Sequence, residues 1–236
     1  MNLPTNQSAD GVKRCTLGAQ PKGGGAIPAS ALYFHVGETK EAGGLIKQFH
    51  YSHRTAANVQ FTGTLHLGGG LFGNKGIVVA SITFSVPPTR WGEDVLELSR
   101  LVRHPKYKPP LTLLISLSCS RLRQQKKDLL VSFADQAEGH LGIVYQASGW
   151  TYNGLRARRM DGLLIDGVFV PGRTCNSIYG TQSPTKLKAT NPHLDIVPHY
   201  DIGKHLYWKQ LGRKGSHKAK RLGLKSLPYP KLMETL

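Results

Sequence analysis

The feature that most constrains this chain is a block of three β-type runs held between two helical ones. Val59–Leu67 and Ile77–Val86 are β-branched and alternate in polarity, and Val95–Val102 (VLELSRLV) repeats the pattern. Alternation with period two sends one set of side chains to each face of a sheet, so three such runs predict adjacent strands. The Gly-rich stretch GGGLFGNKG joins the first two as a hairpin, with a loop longer than the tightest type. Ahead of the block, Ala31–Val36 reads as a short strand. Glu38–Tyr51 carries Leu45, Ile46 and Phe49 at helical spacing, with Gly43-Gly44 weakening its middle. Behind it, Pro109-Pro110 can open a helix, because proline fits a first turn. The run LTLLISLSCSRLRQQKK that follows is apolar early and basic late, which suits the helix dipole.

The remainder extends the same alternation of element types. Leu129–Phe133 reads as a buried strand ending at Asp135, Gly139–Ser148 as a short helix, and Tyr152–Arg156 and Leu163–Val170 as strands. Strand, helix, three meandering strands, helix, strand, helix, strand matches an α/β sandwich with a mixed central sheet flanked by helices. The order resembles that of the GCN5-related N-acetyltransferase-like class, and periodicity alone does not separate it from other α/β sandwiches. Residues 1–30, rich in Gly, Pro and small polar residues, are expected as a flexible lead. Residues 31–200 are expected as the catalytic domain and 201–236 as a basic extension, since the pattern turns irregular and basic after Lys186.

Charge narrows the partners. Lys and Arg number 31 against 14 Asp and Glu, a formal charge of +17. An imbalance of that size usually signals a polyanionic partner, nucleic acid first and an anionic membrane surface second. No apolar run approaches the roughly 20 residues of a membrane span, and the opening MNLPTNQSADG has no signal-peptide core. An intracellular protein is expected. Cys15, Cys119 and Cys175 are too few and too scattered for a disulfide framework or a zinc knuckle. Lys204, Lys209, Arg213, Lys214, Lys218, Lys220, Arg221 and Lys225 follow one another with Tyr207 and Trp208 among them. Cations there can neutralise phosphates and rings can stack on bases, and a solubilising tail is the plain alternative. Arg156, Arg158 and Arg159 form a second cluster that suits either a phosphate grip or an exposed hairpin.

One block carries a family resemblance. VSFADQAEGHLGIVYQASGWTYNG (Val131–Gly154) resembles the signature segment of the Mom family of bacteriophage adenine-modification proteins, with KQFHYSHR (Lys47–Arg54) and LELSRLV (Leu96–Val102) in the family's order upstream. The resemblance implies an acyltransferase-like enzyme that converts adenine in DNA to N6-carbamoylmethyladenine, shielding DNA from restriction in the cytoplasm of an infected bacterial host. The catalytic residues it implies are His50, Tyr51, Arg100, Ser120, Asp135 and Tyr145. Arg100, Ser118 and Ser120 are implied at the cofactor, with Ser116, Ser118 and Ser120 competing for one role and Ser120 favoured. His50, Tyr51, Asp135 and Tyr145 together offer imidazole and anionic oxygen suited to iron. His140 is the next candidate.

Taken singly, each of these residues has a plain reading as well: His50-Tyr51 closing a helix, Asp135 capping one, Arg100 as a sheet-surface cation. Their occurrence in family order favours function. The stretch His104–Pro110 lacks the glycines of a pyrophosphate loop, which sets acetyl-CoA against a glycyl-tRNA-type donor. Expected partners are therefore double-stranded DNA and, for that donor, tRNA. An N-acyltransferase acting on a protein or small molecule leaves the basic tail unexplained, and a non-catalytic DNA- or RNA-binding protein leaves the His50, Tyr51, Asp135 and Tyr145 set unexplained.

Overall fold

A computed structural model describes residues 27–68, 76–87, 91–92 and 95–231. Most of the expected N-terminal lead and most of the Gly-rich hairpin loop lie outside the described residues. Residues 27–30 of that lead are described: Ile27 is buried, and a 3-10 turn spans Ala29–Ala31.

In chain order the elements are β1 (Leu32–Val36), α1 (Thr39–Phe49), β2 (Val59–Leu67), β3 (Ile77–Ser85), β4 (Val95–Arg103), α2 (Leu111–Gln124), β5 (Leu129–Asp135), α3 (Ile143–Ala147), β6 (Thr151–Leu155), β7 (Met160–Ile165), β8 (Val168–Pro171), α4 (Gly172–Tyr179), α5 (Pro184–Thr190), β9 (Ile196–Tyr200), β10 (Lys204–Gln210) and α6 (Gly215–Arg221). A seven-stranded mixed sheet runs β1-β2-β3-β4-β5-β10-β6, and a three-stranded sheet runs β8-β7-β9. The mixed sheet flanked by helices is the fold class expected from the sequence.

The chain divides into two compact units. The first comprises residues 1–132, 144–151 and 208–225, the second 133–143, 152–207 and 226–236. In the first, β1 to β4 form an antiparallel meander, and β5 joins β4 in parallel with Val95 opposite Leu129 and Leu98 opposite Ser132. A parallel pair needs a crossover, and α2 supplies it. Leu114, Ile115, Ser118, Cys119 and Leu122 make its buried stripe, so Ser116, Ser120 and Arg123 fall on the opposite side. α1 buries Ala42, Leu45 and Ile46 with Val102, the i, i+3, i+4 spacing visible in the sequence.

The second unit holds what the sequence pattern missed. Leu163–Val170, expected as one strand, is a hairpin turning at Asp166-Gly167, where φ is +49° and +78°. Two successive positive φ values define a type I′ turn, for which Asp-Gly is a preferred pair. Its core is Leu163, Ile165, Cys175, Leu187 and Ile196, drawn from β7, α4, α5 and β9. The helix expected over Gly139–Ser148 begins only at Ile143, because Gly139 and Gly142 both sit at positive φ, +67° and +74°. The stretch from 201 onward, expected as a basic extension, contributes β10, with His205, Leu206 and Tyr207 buried, and then α6.

Gly142 also packs too tightly for any side chain: a Cβ there would lie 2.4 Å from the Tyr207 ring. Gly142→Ala therefore combines a left-handed backbone with a clash, and is expected to lower stability by about 1–3 kcal/mol or more. Urea unfolding checks this, and a midpoint within error of the parent contradicts the packing described.

Candidate functional site

The first candidate cluster grows from the end of α1. His50 caps the helix, its amide donating to the Ile46 carbonyl at 3.0 Å. The Ser52 amide donates to His50 Nδ1 at 3.1 Å, with Ser52 Oγ at 2.9 Å. A backbone N–H can only donate, so Nδ1 carries the lone pair and the neutral ring keeps its proton on Nε2. His50 is buried, whereas Tyr51 is 45% exposed and stacks on it with ring centroids 4.4 Å apart. Arg100 on β4 donates from Nε to the Arg54 carbonyl at 2.8 Å and from Nη1 to the Ser99 carbonyl at 2.6 Å. The 50–54 loop thus brings His50, Tyr51 and Arg100 into one neighbourhood.

A cleft of about 360 Å³ opens along the outward side of α2, lined by Ser116, Cys119, Ser120, Arg123, Ser148 and Lys209 among others. Ser120 Oγ donates to the Ser116 carbonyl at 3.1 Å, the i−4 bond usual for a helical serine. Ser118 faces the other way and is fully buried; a Cβ at Gly63 on β2 would come within 3.0 Å of its Oγ. Arg123 Nε holds the Leu211 carbonyl at 3.0 Å, and Lys209 Nζ holds the Ser148 and Gly149 carbonyls at 2.8 and 3.1 Å. The cleft is therefore polar and cationic. Cys119 is no nucleophile there: burial pushes its thiol up to about 11, against the smaller opposing effects of Lys209 and Arg123. Sequence reading missed Arg123. Its signal is the 116, 120, 123 spacing, which puts it on the same helical face as two of the competing serines.

Asp135 lies in the second unit and is already engaged. Its Oδ1 accepts the Ala137 amide at 3.1 Å, and its Oδ2 meets Lys204 Nζ at 2.6 Å. Tyr145, in the first unit, is buried on Trp150 with centroids 5.3 Å apart. His140 is exposed. Several cations expected to meet nucleic acid have internal work. Arg156 lies over the Phe133 ring at 4.9 Å, Arg158 donates to the Asp201 carbonyl and Lys218 pairs with Asp128 at 3.4 Å, whereas Arg159 is exposed and only its backbone amide donates to Asp201 Oδ1. Arg213, Lys214, Lys220 and Arg221 are exposed around α6.

Two implied groups can be tested against these side chains. For iron, His50 Nδ1 is occupied as an acceptor, so Nε2 can ligate only after losing its proton and leaving an imidazolate. Asp135 shares its two oxygens with the Ala137 amide and Lys204 Nζ. The set does not fit a preformed iron site. For a CoA pyrophosphate, His104–Pro110 contains three prolines, which have no N–H. Three of its other four amides donate within the protein: His104 to the Val79 carbonyl, Lys106 to His104 Nδ1 and Lys108 to the His104 carbonyl. The loop does not fit a cradle of backbone amides.

One buried pair in the second unit had no sequence signal. Tyr152 Oη and His205 Nδ1 lie 2.8 Å apart, both side chains buried, and Tyr207 packs on Tyr152 at 5.1 Å. Burial lowers the His205 pKa and raises that of Tyr152, so both stay neutral near pH 7.

These features define a mixed α/β protein with a serine- and cation-lined cleft on its crossover helix and a histidine-tyrosine stack at the end of its first helix. The Mom protein family model matches residues 31–231, and the chain belongs to that family. No curated protein matches it. Among solved structures it is similar to the ribosomal-protein-S18-alanine N-acetyltransferase from Escherichia coli, at 11% identity, 77% of this chain, 94% of that one and a TM-score of 0.43. It is also similar to an IAA acetyltransferase from Bacillus cereus, at 10% identity, 76% and 99% coverage and a TM-score of 0.45. A third is a GNAT family N-acetyltransferase from Escherichia coli in complex with CoA, at 12% identity, 81% and 87% coverage and a TM-score of 0.42.

Because His205 has a lower pKa folded than unfolded, the unfolded chain takes up the proton first as pH falls. Its contribution is whole above the unfolded value near 6.5 and is lost as pH drops from there toward the folded value. Between pH 7.5 and 5.5, His205→Gln is expected to lose less of its own thermal midpoint than the parent does. Equal losses in both proteins count against a buried neutral imidazole.

Proposed function

We propose that this chain is a transferase that modifies adenine in DNA, yielding N6-carbamoylmethyladenine and so protecting the DNA from restriction. The observation that carries the reading is the family match over residues 31–231. A formal charge of +17, with exposed cations at Arg213, Lys214, Lys220 and Arg221, supports a polyanionic substrate.

The chemistry assigns roles to the residues. The exocyclic amine of adenine is a weak nucleophile because its lone pair is delocalised into the ring, so the base must leave the duplex and be oriented. Tyr51 offers an exposed ring for stacking, whereas Tyr145, packed on Trp150, acts through its hydroxyl or its packing. His50 presents Nε2–H as a donor to charge developing on the electrophile. Arg100 holds the loop that carries both. Asp135, held by Lys204, is the candidate proton acceptor.

For the donor we favour an aminoacyl group carried on RNA, a glycyl-tRNA-type molecule, over acetyl-CoA. The carbamoylmethyl group (–CH2–CO–NH2) has the same atoms as a glycyl group (–CO–CH2–NH2) and makes up glycinamide together with the adenine nitrogen, and the 104–110 loop does not suit a pyrophosphate. Ser116, Ser120, Arg123 and Lys209 line a cleft suited to an anionic carrier.

The test is co-expression in a bacterial host, digestion of DNA to nucleosides and mass spectrometry. Deoxyadenosine heavier by a carbamoylmethyl group is expected, and is expected to disappear with His50→Ala and with Asp135→Asn. Unmodified DNA alongside well-folded protein leaves an N-acyltransferase acting on a protein or small molecule, or a non-catalytic basic binding protein. Activity with purified acetyl-CoA and no RNA refutes the donor assignment alone. Replacing Arg213, Lys214, Lys220 and Arg221 with Gln is expected to weaken binding to duplex DNA. It should also flatten the dependence of log K on log salt by up to about 0.9 for each phosphate that is no longer neutralised. An unchanged slope removes that surface from the interface.

A further inference from the structure

Away from both clusters, three metal-binding side chains converge where β1, α1 and β2 meet. His35, Glu41 and His66 each offer one ligand atom, and these atoms lie within 4.8 Å of one another. His35 Nδ1 is 3.1 Å from Glu41 Oε2, and the two imidazoles meet edge to face with centroids 5.7 Å apart. His66 is 3% exposed, while the His35 and Glu41 side chains keep 35% and 27%, which gives a small ion a way in from solvent.

The surroundings hold the ligand atoms in a usable form. Thr64 Oγ1 donates to the His35 carbonyl at 3.4 Å and lies 2.8 Å from His66 Nε2. The 2.8 Å bond engages Nε2 and fixes the orientation of the His66 ring. Metal-binding histidines are commonly oriented this way, by a hydrogen bond at the other ring nitrogen. Gly37 matters as well: a Cβ there would stand 2.4 Å from Glu41 Oε2 and 2.9 Å from the His35 ring. Only a residue without a side chain lets the carboxylate fold back onto the imidazole.

We propose that His35, Glu41 and His66 form a binding site for a divalent transition metal ion of the zinc class, with two imidazole nitrogens, one carboxylate oxygen and water completing the coordination. Nitrogen and oxygen ligands at about 2.0–2.2 Å around a tetrahedral ion stand about 3.3–3.6 Å apart. Closing from the separation present calls on the side chains of His35 and Glu41, the two partly exposed members. The ion replaces the His35–Glu41 hydrogen bond and displaces the proton held between them, so affinity rises with pH. Its ligands come from an edge strand, the strand paired with it and the helix between them, so the ion ties β1 to α1. The open coordination position faces water.

The test uses the full chain, stripped with chelator and titrated with cobalt(II), whose visible absorption reports coordination by nitrogen and oxygen ligands. Saturation at one equivalent, reversal of the absorption by zinc(II) and a rise in thermal midpoint with zinc(II) are expected. Glu41→Gln and His35→Gln, both partly exposed and checked for folding by circular dichroism, are expected to weaken binding roughly ten-fold or more. Gly37→Ala, which removes no ligand, is expected to weaken it less. The proposal is overturned if the parent shows no saturable binding, or if both ligand variants bind as the parent does, which would assign the ion to other histidines.

Discussion

The parallel pairing of β4 with β5 is the constraint on which the first unit depends. Parallel neighbours cannot be joined by a tight turn, so the chain must cross over the sheet, and α2 is that crossing. Its apolar stripe has to face the strands, which leaves Ser116, Ser120 and Arg123 no place but the outward side where the cleft opens. Ser132 Oγ then donates to the Leu98 carbonyl at 3.1 Å across the same strand pair, a buried polar bond inside an otherwise apolar region. The cleft is thus a consequence of strand direction.

Charge in this protein is divided between structure and surface. Lys209 terminates the α3 segment by holding two carbonyls, Lys218 answers Asp128, Lys204 answers Asp135, and Arg100 fastens a loop. Placing cations on carbonyls and lone carboxylates satisfies groups that would otherwise lose water without a partner. With 31 basic residues there is surplus, and part of it is exposed in and just before α6, at Arg213, Lys214, Lys220 and Arg221. A count of charges could not have sorted these two kinds apart.

Much of the first unit was legible because its patterns are long. β2 and β3 run nine residues each and are mostly buried, and α1 shows its i, i+3, i+4 spacing through two glycines. The second unit was harder for a physical reason. Its β7, β8 and β9 are four to six residues long, too short for period two to separate from noise, and the apolar residues of β7 and β8 run together as one stretch. The Asp166-Gly167 pair was the available signal. β10 was hidden by its lysines, since Lys204 and Lys209 flank the buried His205-Leu206-Tyr207 and make a sheet strand look like a tail. At the candidate site, the sequence could name His50 and Asp135 but not their states. The proton position on His50 comes from Ser52, and the ion pair of Asp135 from a lysine 69 residues away.

Strand order has a consequence for how the molecule is made. β10 lies between β5 and β6 in the sheet, yet it leaves the ribosome after β7, β8, β9 and two helices. At roughly 5–20 residues per second, β5 and β6 wait several seconds with backbone edges that their final neighbour has not yet covered. Unpaired edges of that kind invite pairing with other chains. The intervening hairpin-and-helix segment, with its own core of Leu163, Ile165, Cys175, Leu187 and Ile196, can become compact during that interval. Yield on expression should therefore be governed by the interval between β6 and β10, a kinetic vulnerability written into the topology rather than into the stability of the finished sheet.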